Sequence, residues 1–406
     1  MTSVTAQNSV AGRPAFTTEP LGGTVDDRLD RLPEVVEVLG RNDATAERDR
    51  VLQYDAVEQL RRTGVLSLRV PTRYGGPGGT VRQVLTAVIQ IARGNSNVAQ
   101  ALRAHFGFAE RLLSNRATEA ERDEWFPRIT TGIVLGNAIT DARGKAPSSS
   151  DTTVLADADG VLRLNGYKFY STGALYADLI AVSAIDAAGR DLQVIIPVDR
   201  DGVELFDDWD GFGQRMTASG GTRFDNVEVH PVEVTTVSDG NHIGHSTTFL
   251  QLYLAAVAAG IAAAVFDDAV DYVRLRARPA AHALADTAAE DPFVLAAVGD
   301  IAATAAAAEA LVLTAADAID SVVDAGLVDD AAAVAKAQLV AERLTLTSAQ
   351  RLFDTGGASA TARSLNLDRH WRNIRTLASH SPLDYKAYAA GDYAVNGTFP
   401  PANGYF

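Results

Sequence analysis

The hydrophobic period of this chain changes twice along its length, and that order restricts the fold more than any motif does. From residue 26 to about 128 apolar residues recur at helical spacing: Val51, Leu52, Val57, Leu60 and Val65, then Val84, Leu85, Val88, Ile89 and Ile91. The break Tyr74-Gly-Gly-Pro-Gly-Gly79 separates these two runs. Between Ile133 and about Val234 the pattern is that of strands, with runs at 161–166, 177–184, 192–196 and 224–229 and turn signals at Asp159-Gly160 and Ala188-Gly189. From Ser246 to Tyr388 the chain is helical again and Ala-rich, broken at Pro279 and Gly356-Gly357. Strands gathered in one block exclude a doubly wound sheet and predict an α+β fold. Its expected parts are a loose arm (1–24), an N-terminal helical domain (25–130), a middle β domain (131–240), and a C-terminal helical bundle with tail (241–406).

Composition narrows the function. Acidic residues exceed basic ones, 51 to 36, for a net charge of −15. Such a surface repels nucleic acid and anionic membranes. With Cys 0 the chain has no disulfide, thiolate nucleophile, Cys-zinc site or iron–sulfur cluster. The N-terminus lacks the basic-then-apolar layout of a signal peptide, so a cytoplasmic protein is expected. Residues 246–266 carry no charge over a membrane-spanning length. Their Ala-rich make-up, with Gln251 and Gly260 inside and Asp267-Asp268 at the end, instead predicts a buried core helix.

Several motif-like features carry no chemistry on this reading. The glycine run at 74–79 follows no strand and no Walker lysine accompanies it, so the common nucleotide sites are absent. His242-Ile-Gly-His245 has metal-like spacing but no third ligand, and no metal is expected. The run Asp207-Asp-Trp-Asp210 reads as a solvated turn, with Trp209 available to wall a pocket. His370 reads as a packing residue.

Several segments, in order, resemble landmarks of the acyl-CoA dehydrogenase superfamily. They are Leu60-Arg-Arg-Thr-Gly-Val-Leu66 followed by Tyr74-Gly-Gly-Pro-Gly78; Gly136-Asn-Ala-Ile-Thr-Asp141; Leu164-Asn-Gly-Tyr-Lys-Phe-Tyr-Ser-Thr-Gly173; and Gly211-Phe-Gly-Gln-Arg-Met-Thr217 with Phe224-Asp-Asn-Val-Glu-Val229. Each alone is weak, but the ordered set spans nearly the whole chain. The segment from Asp368-Arg-His-Trp-Arg to His380-Ser-Pro382, with Asp384-Tyr-Lys386 and Gly391-Asp-Tyr393, is similar to one branch. That branch holds reduced-flavin monooxygenases similar to dibenzothiophene and sulfone monooxygenases. The resemblance implies reduced FMN from a separate NAD(P)H:flavin reductase, a flavin hydroperoxide made with O2, and oxygen transfer to a small apolar sulfur- or nitrogen-containing substrate. It further implies FMN rather than FAD and a homotetramer built as a dimer of dimers.

A residue-level comparison separates oxygenase from dehydrogenase. A dehydrogenase needs a carboxylate base beside the substrate's α-carbon. The resemblance offers two places for it, which here are Ser381 and Tyr253. Neither is an acid, and neither hydroxyl is a base near neutral pH without special activation. An oxygenase needs a group that exchanges one proton, which imidazole does readily. The branch carries histidines matching His380 and His105, and an Asn and a Ser matching Asn137 and Ser171. The same match implies Tyr170, Thr172 and Thr140 at the flavin ring, and Arg276 or Arg278 reaching a neighbouring subunit's flavin. Ser381, Tyr253 and Trp209 would line the substrate pocket. The alternatives are an acyl-CoA dehydrogenase using FAD with a displaced base, an N-hydroxylase of the same fold, and a catalytically dead binding subunit.

Overall fold

The computed structural model describes residues 21–114, 117–141, 151–237, 245–323 and 330–400. Most of the expected N-terminal arm, His242 and the final six residues lie outside the described residues.

Among the described residues seven α-helices come first: α1 (Val25–Asp30), α2 (Leu32–Asp49), α3 (Tyr54–Thr63), α4 (Val81–Gly94), α5 (Ser96–Ala101), α6 (Arg103–Leu113) and α7 (Glu119–Thr130). Their starts are written locally. Thr80 with Gln83, and Thr118 with Glu121, form capping boxes that satisfy the first free N–H groups of α4 and α7. The glycine run at 74–79 lies between α3 and α4, as expected.

Eight strands follow: β1 (Leu135–Ala138), β2 (Thr153–Ala156), β3 (Leu162–Lys168), β4 (Leu179–Ile185), β5 (Asp191–Pro197), β6 (Val203–Leu205), β7 (Thr222–Val229) and β8 (Val234–Thr236). They form one sheet in the order β6-β7-β3-β2-β4-β5-β8, with β1 lying parallel to β4. Val154, Leu164, Ile180, Val182, Val194, Ile196 and Phe224 fill its core. A smaller core of Val70, Phe108, Leu112, Trp125, Phe126 and Leu135 fixes β1 to the N-terminal helices. Strands β2, β6 and β8 escaped the sequence pattern because three or four residues are too few to display an alternation.

The C-terminal part holds α8 (His245–Leu275), α9 (Pro292–Val323), α10 (Asp330–Arg351), α11 (Asp368–Leu377) and α12 (Leu383–Asn396). The uncharged run forms α8, which packs against α4, α9 and α10. Gly260 lets α8 and α4 approach closely, since a Cβ there would meet Ala92 Cβ at 2.4 Å and Ile89 O at 2.6 Å. Helices α8 and α9 are both long and apolar enough to cross a bilayer. Of their most apolar windows, 78% is buried in α8 but only 17% in α9. The first is a core helix, as expected; the second turns an apolar face outward.

Buried ion pairs lock the helical layers together. Arg369 Nε meets Asp43 of α2 at 2.7 Å, and its Nη2 meets Asp268 of α8 at 2.8 Å. His370 Nε2 bonds the same Asp268 carboxylate at 2.8 Å, so this histidine does pack α11. In the acidic run at 207–210, Asp208 and Asp210 are exposed as expected, but Asp207 is not merely solvated. Arg50 grips Asp207 with two bonds of 2.8 and 2.6 Å, and Asp208 Oδ1 accepts from Gly221 N–H at 2.8 Å. Asp207 is thus a brace, one the sequence hides because Arg50, at the end of α2, lies far away along the chain.

Candidate active site

His380 and Ser381 sit between α11 and α12, opposite α6 and α8. His380 Nε2 lies 3.4 Å from Arg103 Nη1, and its Nδ1 lies 3.3 Å from Ser381 Oγ. A guanidinium only donates, so Nε2 accepts and the ring proton sits on Nδ1. The direction then propagates: Nδ1–H donates to Ser381 Oγ, whose proton goes to Gln251 Oε1 at 3.4 Å. Lys386 Nζ donates to the same oxygen at 3.3 Å. Gln251, Ser381 and Lys386 are buried, whereas His380 exposes surface. Yet protein surrounds the ring closely enough that lost hydration, with Arg103 and Lys386 nearby, pushes its pKa down to about 3. The ring is neutral at pH 7.

Around this chain the charges are uneven. Burial, offset in part by Glu342, brings Lys386 down to about 8, and burial pushes Glu342 on α10 up to about 8. Arg103 donates Nε–H to Leu250 O at 3.0 Å and makes no ion pair among the described residues. Burial lowers it to about 10, which leaves it charged at neutral pH.

The β domain supplies the second group. Tyr170 holds φ +55, an uncommon conformation for a bulky residue, and its ring stands edge-on to Trp209 with centroids 5.8 Å apart. Ser171 is buried and its Oγ accepts from Thr222 Oγ1 at 2.8 Å, leaving its own proton to give. Thr172 pairs its hydroxyl with Ser219 Oγ at 2.8 Å, and its carbonyl accepts from Asn137 N–H at 3.4 Å. The exposed Thr140 bridges to Phe169. Buried Lys168 braces this stretch through Asp141 at 2.7 Å and Ile139 O at 3.3 Å. Trp209 is half-buried and donates Nε1–H to Gln214 O at 3.0 Å.

Helix α5 and the start of α6 touch both groups. Ala101 O lies against Gly173, where a Cβ would approach it to 2.3 Å, and Gly173 needs its φ of +78. Ala99 O accepts from Tyr253 OH at 2.6 Å, and Asn97 Oδ1 accepts from Met216 N–H at 3.1 Å. Four buried polar atoms on this seam lack a hydrogen-bond partner: Asn97 Nδ2, Gln100 Oε1, Asn137 Oδ1 and Gln214 Oε1. Buried polar atoms are rarely left so. A seam with several unmatched donors and acceptors, beside hydroxyls and an exposed Tyr170, fits a flat polar cofactor such as a flavin.

Other predicted residues fall elsewhere. His105 is buried; its Nε2 bonds Leu66 O at 2.8 Å and its Nδ1 accepts from Leu135 N–H at 3.4 Å. Both nitrogens are committed to backbone, and burial lowers its pKa to about 4. Tyr253 exposes no surface, packs against Phe106 and Phe249, and is held as neutral phenol by burial. Arg274, Arg276 and Arg278 are exposed, with no ion pair among the described residues. His245, by contrast, bonds the buried Glu110 at 3.1 Å, and no group able to hold a metal occurs among the described residues. Sequence reasoning missed Arg103, Gln251 and Lys386. The one visible signal was Gln251, a polar residue inside an uncharged helix that needs a partner once buried.

A helical–β–helical fold with imidazole and hydroxyl side by side at His380 and Ser381, and a polar seam that fits a flavin, is that of a flavoenzyme of dehydrogenase-like fold. The chain matches the profiles of the acyl-CoA dehydrogenase N-terminal domain over residues 34–133 and C-terminal domain over residues 252–385. It is 32% identical over 370 residues to a probable FMNH2-dependent monooxygenase of Pseudomonas putida, covering 86% of this chain and 89% of that one. A dibenzothiophene monooxygenase of Rhodococcus erythropolis is 30% identical over 387 residues, with 88% of each chain covered. The FMN-bound structure of TdsC from Paenibacillus sp. A11-2 superposes with a TM-score of 0.86 at 29% identity, over 93% of this chain and all of that one. The chain belongs to the acyl-CoA dehydrogenase superfamily, in its branch of flavin-dependent monooxygenases.

Proposed function

We propose that the protein is the oxygenating half of a two-component system. It takes reduced FMN from a separate NAD(P)H:flavin reductase and, with O2, oxygenates a small sulfur- or nitrogen-containing substrate in the cleft beside His380. The observation that carries this reading is the chain Arg103–His380–Ser381–Gln251, which fills the first expected base position with imidazole and hydroxyl. The second position holds Tyr253, whose phenol is spent on Ala99 O.

A reduced flavin at the seam would supply the two electrons that activate O2. Tyr170 would cover its ring, Thr172 and Thr140 would bond its edge, and Arg276 or Arg278 of a neighbouring copy would hold its phosphate. His380 is held neutral with its proton on Nδ1 and, unlike the buried His105, exposes surface, so it can hand on a proton at a set place through Ser381. Ser171 donates its free proton toward the reacting oxygen, and Asn137 orients it. His105 positions β1, the strand that carries Asn137, rather than exchanging protons itself. The outward apolar face of α9 supports self-association, with the tetramer as its expected end state.

The direct test combines the protein with FMN, a flavin reductase, NADH and a panel of thioethers, sulfones, amines and indoles. A product heavier by one oxygen, lost when the reductase is omitted, is expected. Reduction of an electron-accepting dye by an acyl-CoA thioester would instead establish a dehydrogenase.

A further inference from the structure

The charge left over beside His380 points to the substrate. Arg103 carries a guanidinium whose only protein partners among the described residues are a backbone carbonyl and a neutral imidazole. Removing such a charge from water without giving it a carboxylate is costly. The neighbouring Lys386 does not supply the missing negative charge: burial lowers it to about 8, which leaves it cationic near neutral pH, and Glu342, pushed up to about 8, is mostly protonated there. Glu342 also faces Arg375, so no surplus carboxylate remains there for Arg103. Tyr253, the other ionisable group felt by Arg103, is neutral. Gln251 Oε1 is taken by Ser381 and Lys386. Arg103 Nη2 has no protein partner among the described residues, yet it is not among the buried unpaired atoms, so it keeps accessible surface beside His380.

Resting on the oxygenase reading above, we propose that the substrate is a small organic anion, bearing a sulfonate or carboxylate head that Arg103 holds beside His380. The planar guanidinium presents its remaining donors as a fork suited to two oxygens of one head group. His380 adds little competing charge because it is neutral. The rest of the molecule would then sit toward the β-domain face, with its oxidisable atom near the Ser171 hydroxyl. This narrows the substrate from the apolar molecule expected from the sequence to one with a charged end.

Binding to the flavin-free protein separates this proposal from the oxygenase reading, because it needs no turnover. Isothermal titration would use benzenesulfonate, its neutral counterpart methyl phenyl sulfone, and inorganic sulfate. Benzenesulfonate should bind at least ~10-fold more tightly than either, the scale of one charge-assisted hydrogen-bonded contact. Arg103→Gln should remove that preference, Arg103→Lys should restore part of it, and Arg41→Gln, in an exposed surface pair with Glu37, should keep it; thermal melting checks that each variant folds. Equal affinity for the sulfone, equal affinity for sulfate, no detectable sulfonate binding, or a preference surviving in Arg103→Gln would overturn the proposal. Sulfonate binding with no oxygenation of any tested substrate would leave the anion site standing and count against the oxygenase.

Discussion

At the residue scale the central group is His380, and its fixed proton geometry predicts a particular defect. His380→Ala should lower product formation about 10²-fold or more while NADH oxidation continues, with the missing oxygen recovered as H2O2. The product-to-NADH ratio measures this, and unchanged coupling would remove the role assigned to the imidazole. His105 predicts a different behaviour, one of stability. Its pKa is about 4 folded against 6.5 unfolded, so between those values the unfolded chain binds more protons. Stability should therefore be full above pH 6.5 and fall as pH drops toward 4, by up to about 3 kcal/mol from this one group. Urea melts of the wild type and of His105→Gln across that range should show a shallower slope in the variant. Both histidines were visible in the sequence as candidates, but their tasks were not. A sequence lists imidazoles without saying that Leu66 O and Leu135 N–H occupy both nitrogens of one.

Among elements, the long periodic segments were legible and the short or far-paired ones were not. The uncharged run became α8 because every face of it meets another helix, a burial that Ala and Gly permit at close range. Strands β3, β4, β5 and β7 followed their alternation, while β2, β6 and β8 depend on neighbours for their pairing. The brace of Arg50 on Asp207 and the site residues Arg103 and Lys386 stayed hidden for a related reason. Their partners lie more than a hundred residues away, beyond any local pattern. The cluster of Arg369, Asp43, Asp268 and His370 shows what such distant pairs do. Asp268→Asn leaves Arg369 and His370 with a weaker common partner across α8 and α11, so a loss of about 3 kcal/mol or more is expected on denaturant unfolding. Burial opposes ionisation of Asp268, but bonds and charge from His370 and Arg369 win and depress its pKa. Its contribution should thus be present near neutral pH and disappear as acid titrates the carboxylate.

For the whole molecule, the order of helical, β and helical parts was the most reliable reading. It follows from where the hydrophobic period changes, and the match to solved relatives runs over 93% of the chain. What no single-chain pattern reveals is the surface a second copy would cover. Helix α9 exposes Phe293 and Leu295 and buries little of its apolar window. Phe293→Glu combined with Leu295→Glu should lower the mass seen by light scattering toward that of one 42.9 kDa chain. If Arg276 or Arg278 does serve a neighbour's flavin, FMN affinity should fall with it.

The source of the transferred oxygen decides the central claim. With FMN, reductase and NADH under 18O2 in ordinary water, the product of an accepted substrate should gain one heavy oxygen, and none when the label is in the water instead. Product without label from 18O2, or oxidation of an acyl-CoA thioester to its enoyl form with no oxygen gained, would contradict the account.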